Sequence, residues 1–155
     1  MSHSSLSCLQ CSTRSKAPPT TEGDAMNADE NTVCELFAAI DAGRIETATG
    51  LLTQDVHFRF GNAEPTIGRD AFAANAAAMG GVLASISHEM LAVWTTSEPD
   101  AAVVCEMAVT YSRHDGSQLK LPCANVFRLR SGLIADYRIY MDINPVFAAA
   151  ATEPE

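Results

Sequence analysis

The chain has 155 residues, 47% of them hydrophobic and 19% charged, enough for one well-buried core and too few for two ordinary domains. Ten basic residues against nineteen acidic ones give a formal net charge of -9, which repels phosphate backbones and anionic lipid surfaces and argues against nucleic acid or membrane partners. No run approaches the roughly 20 apolar residues that cross a bilayer, and the N-terminus lacks the continuous apolar core of a secretory signal, so a cytoplasmic protein is expected.

Residues 1–26 read as a disordered tail, because the Ser-, Thr- and Pro-rich stretch up to residue 25 has no hydrophobic periodicity to repay the entropy of ordering. Met26, just ahead of the first helix signal, is an alternative translational start. Cys8 and Cys11 have the spacing of half a zinc knuckle, but no second pair follows, and no metal is expected. Cys34, Cys105 and Cys123 lie in apolar segments, where free thiols behave as small hydrophobes in a reduced compartment.

Asn27-Ala-Asp-Glu30 has the spacing of a capping box, and Val33, Leu36, Phe37 and Ile40 follow at helical intervals, predicting a first helix that ends near Gly43. Ile45, Ala48, Leu51 and Leu52 predict a second, short helix. The run Val56, His57, Phe58, Arg59, Phe60 alternates strictly and predicts a strand. After the Gly61-Asn62 turn, the Ala-rich stretch from Arg69 to Met79 predicts a third helix that stops at Gly80-Gly81. Four long β-type runs follow, about 84–96, 101–113, 117–130 and 133–142, separated by turn signals of hairpin length. Asn144-Pro145 closes the last strand, and 148–155 read as a C-terminal tail.

The order α-α-β-α-β-β-β-β implies an α+β domain over 27–147. Its three N-terminal helices bury their stripes against one face of a curved antiparallel sheet, leaving a cone-shaped cavity between them. The helix end LFAAIDAGR, the strand QDVHFRF, the helix entry IGRDAF and the final strand IADYRIYMDINPVF resemble the SnoaL-like branch of the nuclear transport factor two-like superfamily, over about residues 28–147. The resemblance implies the same fold, a small hydrophobic ligand and a homodimer, and with no Gly-rich phosphate loop, GxSxG or clustered His/Cys set in the sequence no cofactor is expected. It does not name a reaction, because that superfamily spans several.

The catalytic places known in the superfamily map unevenly. Those of epoxide hydrolases fall on Met107, Val109, Ile139, Phe58 and Phe60, all apolar and unable to position or deprotonate a water. Of the ketosteroid isomerase places, the tyrosine falls on Leu36, no carboxylate stands near 60–62, and the acid falls on Asn125, which keeps amide donors. The dehydratase branch matches best, placing its Asp and His on Asp41 and His88, although its second acid-base group, expected between Val109 and Tyr111, is missing. A carboxylate on one imidazole nitrogen fixes the tautomer and makes the other nitrogen a base.

Each residue also has a plain structural role. Asp41 suits a solvated helix end, His88 a satisfied strand histidine, Asn125 an amide tied to backbone, and Tyr137 a locally bonded core ring. The functional expectation makes Asp41 and His88 catalytic, with Asn125 or Tyr137 stabilising a substrate oxygen. Phe37, Ile40, Phe58, Phe60, Met107, Val109, Cys123, Ile139 and Met141 complete the binding wall. The chemistry expected is a cofactor-independent isomerase, cyclase or dehydratase reaction on a hydrophobic metabolite; the rival is a ligand-binding or dimerisation module without chemistry. Arg138, Tyr140 and Asp142 alternate to the outer face of the sheet, and Arg69, Arg113, Arg128 and Arg130 read as solvated surface.

Overall fold

A computed structural model describes residues 26–148; both predicted tails, with Cys8 and Cys11, lie almost entirely outside that range. Helix α1 (Ala28–Asp41) starts at the predicted capping box: the Asn27 side chain accepts the Glu30 N–H at 2.8 Å, and Glu30 accepts the Asn27 N–H at 3.3 Å. Such a cap stabilises by about 1 kcal/mol. Val33, Leu36 and Phe37 form its buried stripe. Helix α2 (Ile45–Gly50) follows across Gly43, whose φ of +72° suits a residue without Cβ.

Strand β1 (Leu52–Phe60) begins four residues earlier than the alternation at Val56 suggested, and Leu52 belongs to it rather than to the second helix. Leucine favours helices in isolation, but pairing Leu52 with Ile134 buries both side chains completely. The Leu52 carbonyl also accepts both the Nε and an Nη of Arg69, so that arginine is a brace between helix and strand and not merely solvated surface. A two-residue strand β2 (Thr66–Ile67), too short to leave a pattern, pairs with β1.

Helix α3 (Arg69–Val82) runs through Gly80-Gly81, where a stop was expected. Neither glycine adopts a positive φ; the Leu83 N–H still bonds the Met79 carbonyl, and the helix ends only where Leu83 is buried in the sheet. The meander is β3 (Leu83–Thr96), β4 (Ala102–Arg113), β5 (Gln118–Arg130) and β6 (Leu133–Tyr140). A short helix α4 (Asn144–Phe147), with Pro145 in its first turn, was not anticipated. Arg113, also read as surface, donates to the carbonyls of Pro145 at 2.7 Å and Ala148 at 3.2 Å and so pins α4 to β4.

The six strands lie in the order β2-β1-β6-β5-β4-β3. All pairs are antiparallel except β1–β6, which is parallel, so the sheet is mostly antiparallel, as expected. A parallel pair needs a long crossover, and α3 with the β3–β5 meander supplies it. The inward face follows the predicted alternation, with Phe58 beside Tyr137 beside Phe127, and Asn125 between Cys105 and Ile139. At the centre Phe127 stacks on Tyr137 with centroids 4.6 Å apart, and Phe37 of α1 meets both rings edge-on. Each such fully buried large side chain contributes about 1.5–3 kcal/mol by its removal from water.

Candidate active site

Between α1, α3, α4 and the concave face of the sheet lies a cavity of about 680 Å³, within the range of small-molecule sites. Its wall is mostly apolar, and its polar groups are few and placed by particular elements. Asp41 is the last residue of α1, and His88 lies on β3 opposite Val109, on the inward face. One carboxylate oxygen of Asp41 lies 2.5 Å from His88 Nδ1, and the other accepts the His88 backbone N–H at 3.0 Å. Two contacts from one carboxylate fix the imidazole in position and in tautomer, since a carboxylate can only accept. Nδ1 therefore carries a proton, and in the neutral ring Nε2, for which no hydrogen bond is found among the described residues, is the nitrogen that can accept one. The Phe37 ring packs against the imidazole at 4.7 Å between centroids, which restrains its rotation.

Asn125 is 1% exposed and lines the cavity. Its amide is not tied to backbone. Nδ2 donates to the Met107 sulfur at 3.0 Å, and Oδ1 accepts from the Cys123 thiol at 3.7 Å. Thioether and thiol are weak partners, so the amide keeps both a free N–H and spare acceptor capacity. Burial pushes the Cys123 thiol up to about 11, against a smaller opposing effect of its bond to Asn125, so it is an inert part of the wall. Tyr137 is buried and lines the cavity. Burial, then the neighbouring Cys123, Tyr111, Cys105 and Asp41, holds its phenol well above the ordinary range, so it stays a hydrogen-bond donor.

Of the residues expected at the site, Asp41, His88, Ile40, Phe58, Phe60, Val109, Cys123, Asn125, Tyr137 and Ile139 line one cavity. Three do not. Phe37 and Met107 stand one layer behind the wall, supporting His88 and Asn125, and Met141 accepts the Tyr111 hydroxyl at its sulfur, 3.3 Å away. Facing the inner side of a sheet does not guarantee contact with the hollow, because packed helices fill part of that face. Sequence reasoning missed Tyr111, Thr66 and Asn75 as cavity residues. Phe72, Asn75, Ala76 and Met79 line it from α3 at spacings of three and four, a stripe legible within the Ala-rich run.

Among the described residues, no group of three or more His, Cys, Asp or Glu side chains is arranged to hold a metal ion, and no helix is long and apolar enough to cross a membrane.

The fold has known relatives among solved structures. A proposed SnoaL-like polyketide cyclase from Jannaschia sp. CCS1 superposes with a TM-score of 0.72 at 16% identity, over 88% of this chain and 100% of that one. An NTF2-like protein of unknown function from Burkholderia pseudomallei gives 0.71 at 16% identity, over 79% and 100%. An LEH-like epoxide hydrolase from M. tuberculosis gives 0.66 at 17% identity, over 77% and 86%. At such identities these likenesses establish the fold alone. No curated protein matches the chain. The SnoaL-like domain family matches residues 33–137, more than half of the chain and the whole stretch from the inner stripe of α1 to Tyr137. The chain therefore belongs to the SnoaL-like domain family.

Proposed function

We propose that the protein is a cofactor-independent enzyme of the isomerase, cyclase or dehydratase kind, moving a proton on a hydrophobic, carbonyl-bearing metabolite. The observation that carries this reading is the grip of Asp41 on His88, a carboxylate holding an imidazole at two points on the wall of an oily cavity. A histidine needed only for packing has no use for a tautomer fixed with its free nitrogen unpartnered.

In this reading His88 Nε2 takes a proton from the carbon next to the substrate carbonyl, and the electron pair moves onto the carbonyl oxygen as an enolate. Asp41 stabilises the imidazolium that forms, while the Asn125 amide or the Tyr137 hydroxyl donates to the enolate oxygen. The imidazolium then returns the proton to another atom of the substrate or to a departing hydroxyl. General-base assistance contributes about 10²–10⁴ in rate, and one well-placed oxyanion donor about 10²–10³. The epoxide hydrolase reaction does not fit, because Phe58, Phe60, Val109 and Ile139 give the cavity wall apolar groups where that chemistry needs water-holding ones. We further take the protein to be a homodimer through the outer face of the sheet, where Trp94 and Tyr140 are exposed.

The test is exchange of α-hydrogens for deuterium in D₂O, followed by proton NMR, on apolar enolisable ketones such as 2-tetralone. His88→Ala is expected to abolish exchange while the neutral dye Nile red still binds. Exchange by the wild type no faster than by buffer across such ketones, or exchange undiminished in His88→Ala, contradicts the proposal.

A further inference from the structure

The cavity contains a further donor, the Tyr111 hydroxyl, that the proposed chemistry does not use. Tyr111, on β4, is 3% exposed and lines the cavity, and its hydroxyl donates to the sulfur of Met141, which lies just beyond the end of β6. Because β5 separates β4 from β6, the bond reaches across β5. Asn125, on β5, is held in the same manner, by the sulfur of Met107. A buried hydroxyl or amide ordinarily finds an oxygen acceptor in its own fold. Both donors here rest instead on thioethers, which are weak acceptors, so a ligand oxygen entering the cavity gains more from each donor than the sulfur loses.

The charge of the wall narrows what that oxygen can belong to. Among the described residues no Lys or Arg lines the cavity, whereas the acidic Asp41 and Glu64 do. A carboxylate, sulfonate or phosphate would find as a cationic partner only the His88 ring, already held by Asp41, and would meet the charge of Asp41. An uncharged carbonyl, ether or hydroxyl oxygen meets no such opposition.

We infer that Tyr111 is a ligand-binding residue, its hydroxyl parked on Met141 until an uncharged oxygen of the ligand displaces the sulfur, so that the cavity selects neutral oxygenated molecules over both hydrocarbons and anions. The inference rests on the reading of this hollow as a ligand site but not on proton transfer by His88. Met141 serves as a placeholder: it keeps the buried hydroxyl from being unsatisfied in the free protein and yields readily.

The experiment is isothermal titration of the full chain with three probes of one shape: 2-ethylnaphthalene, 2-acetylnaphthalene and 2-naphthoate. The ketone is expected to bind about fivefold more tightly than the hydrocarbon, the value of one net hydrogen bond, and the carboxylate more weakly than either. Tyr111→Phe is expected to reduce the preference for the ketone while leaving hydrocarbon affinity intact. Met141→Leu, which removes the placeholder, is expected to enlarge that preference. The infrared carbonyl band of bound 2-acetylnaphthalene should shift to higher frequency in Tyr111→Phe. Binding of all three probes without discrimination, or an undiminished ketone preference in Tyr111→Phe, overturns the inference alone. Failure of every probe to bind overturns the ligand-site reading and the inference with it.

Discussion

Replacing Asp41 by Asn keeps the size of the side chain and changes what it can offer His88. In the wild type the two carboxylate oxygens accept from Nδ1 at 2.5 Å and from the backbone N–H at 3.0 Å. An amide has one oxygen. If it stays on the backbone N–H, its NH₂ group faces Nδ1, which must then accept, and the ring proton moves to Nε2, the atom proposed as base. The variant also loses the negative charge that stabilises the imidazolium. A wrong tautomer and a lost counter-charge together should lower kcat by about 10²–10⁴, or roughly 3–5 kcal/mol of barrier. The stability loss should be smaller, about 1–2 kcal/mol, because the Asp41 side chain is 29% exposed and solvent screens part of the interaction. The measurements are the deuterium-exchange rate at saturating ketone and the urea midpoint of the same sample. Asp41→Glu, which restores a carboxylate, is expected to recover part of the rate. A fall in rate no larger than the fall in folded fraction, or a fully active Asp41→Asn, would refute the reasoning.

Gly61 has a φ of +57°, and a Cβ there would meet Ile143 Cγ2 at 2.5 Å and the Met141 carbonyl oxygen at 2.7 Å, so Gly61→Ala should lose about 2–4 kcal/mol by chemical denaturation. Phe127→Ala should lose about 3–5 kcal/mol by the same measurement, because it empties the centre of the aromatic cluster. Burial raises the Tyr111 and Tyr137 phenols above their ordinary value near 10. Folding therefore binds their protons more tightly, and the stability this gives is complete below pH 10 and lost as the pH rises beyond it. Absorbance at 295 nm should show these two tyrosines ionising only as the circular dichroism of the fold disappears, and their free ionisation near pH 10 would contradict the burial. Iodoacetamide should leave Cys123 unmodified at pH 8 in the native protein, a point that peptide mass mapping checks.

Sequence patterns revealed the framework where local signals and tertiary needs agree. The capping box at Asn27, the alternation that turns Met107, Val109, Cys123, Asn125 and Tyr137 inward, and the hairpin turns all depend on neighbouring residues. The pairing of Asp41 with His88, 47 residues apart, was reachable only through the family resemblance. Where local preference and burial compete, the sequence misled. Leu52 left a helical pattern for a strand, Gly80-Gly81 stayed helical, and Arg69 and Arg113 turned inward to bond carbonyl groups. The parallel β1–β6 pair was hidden because no local pattern records which strand will close the sheet. Tyr111 escaped notice because a buried tyrosine on a strand looks the same whether its hydroxyl meets backbone or a ligand.

Proton transfer at this site depends most on which nitrogen of His88 bears the proton. Two-bond proton–nitrogen spectra of the ¹⁵N-histidine-labelled protein, with the signal assigned by its loss in His88→Gln, read this directly. The neutral ring should show a protonated Nδ1 and an Nε2 at the shift of an unprotonated nitrogen. A ring protonated at Nε2, or one averaging between tautomers as in free solution, would contradict it.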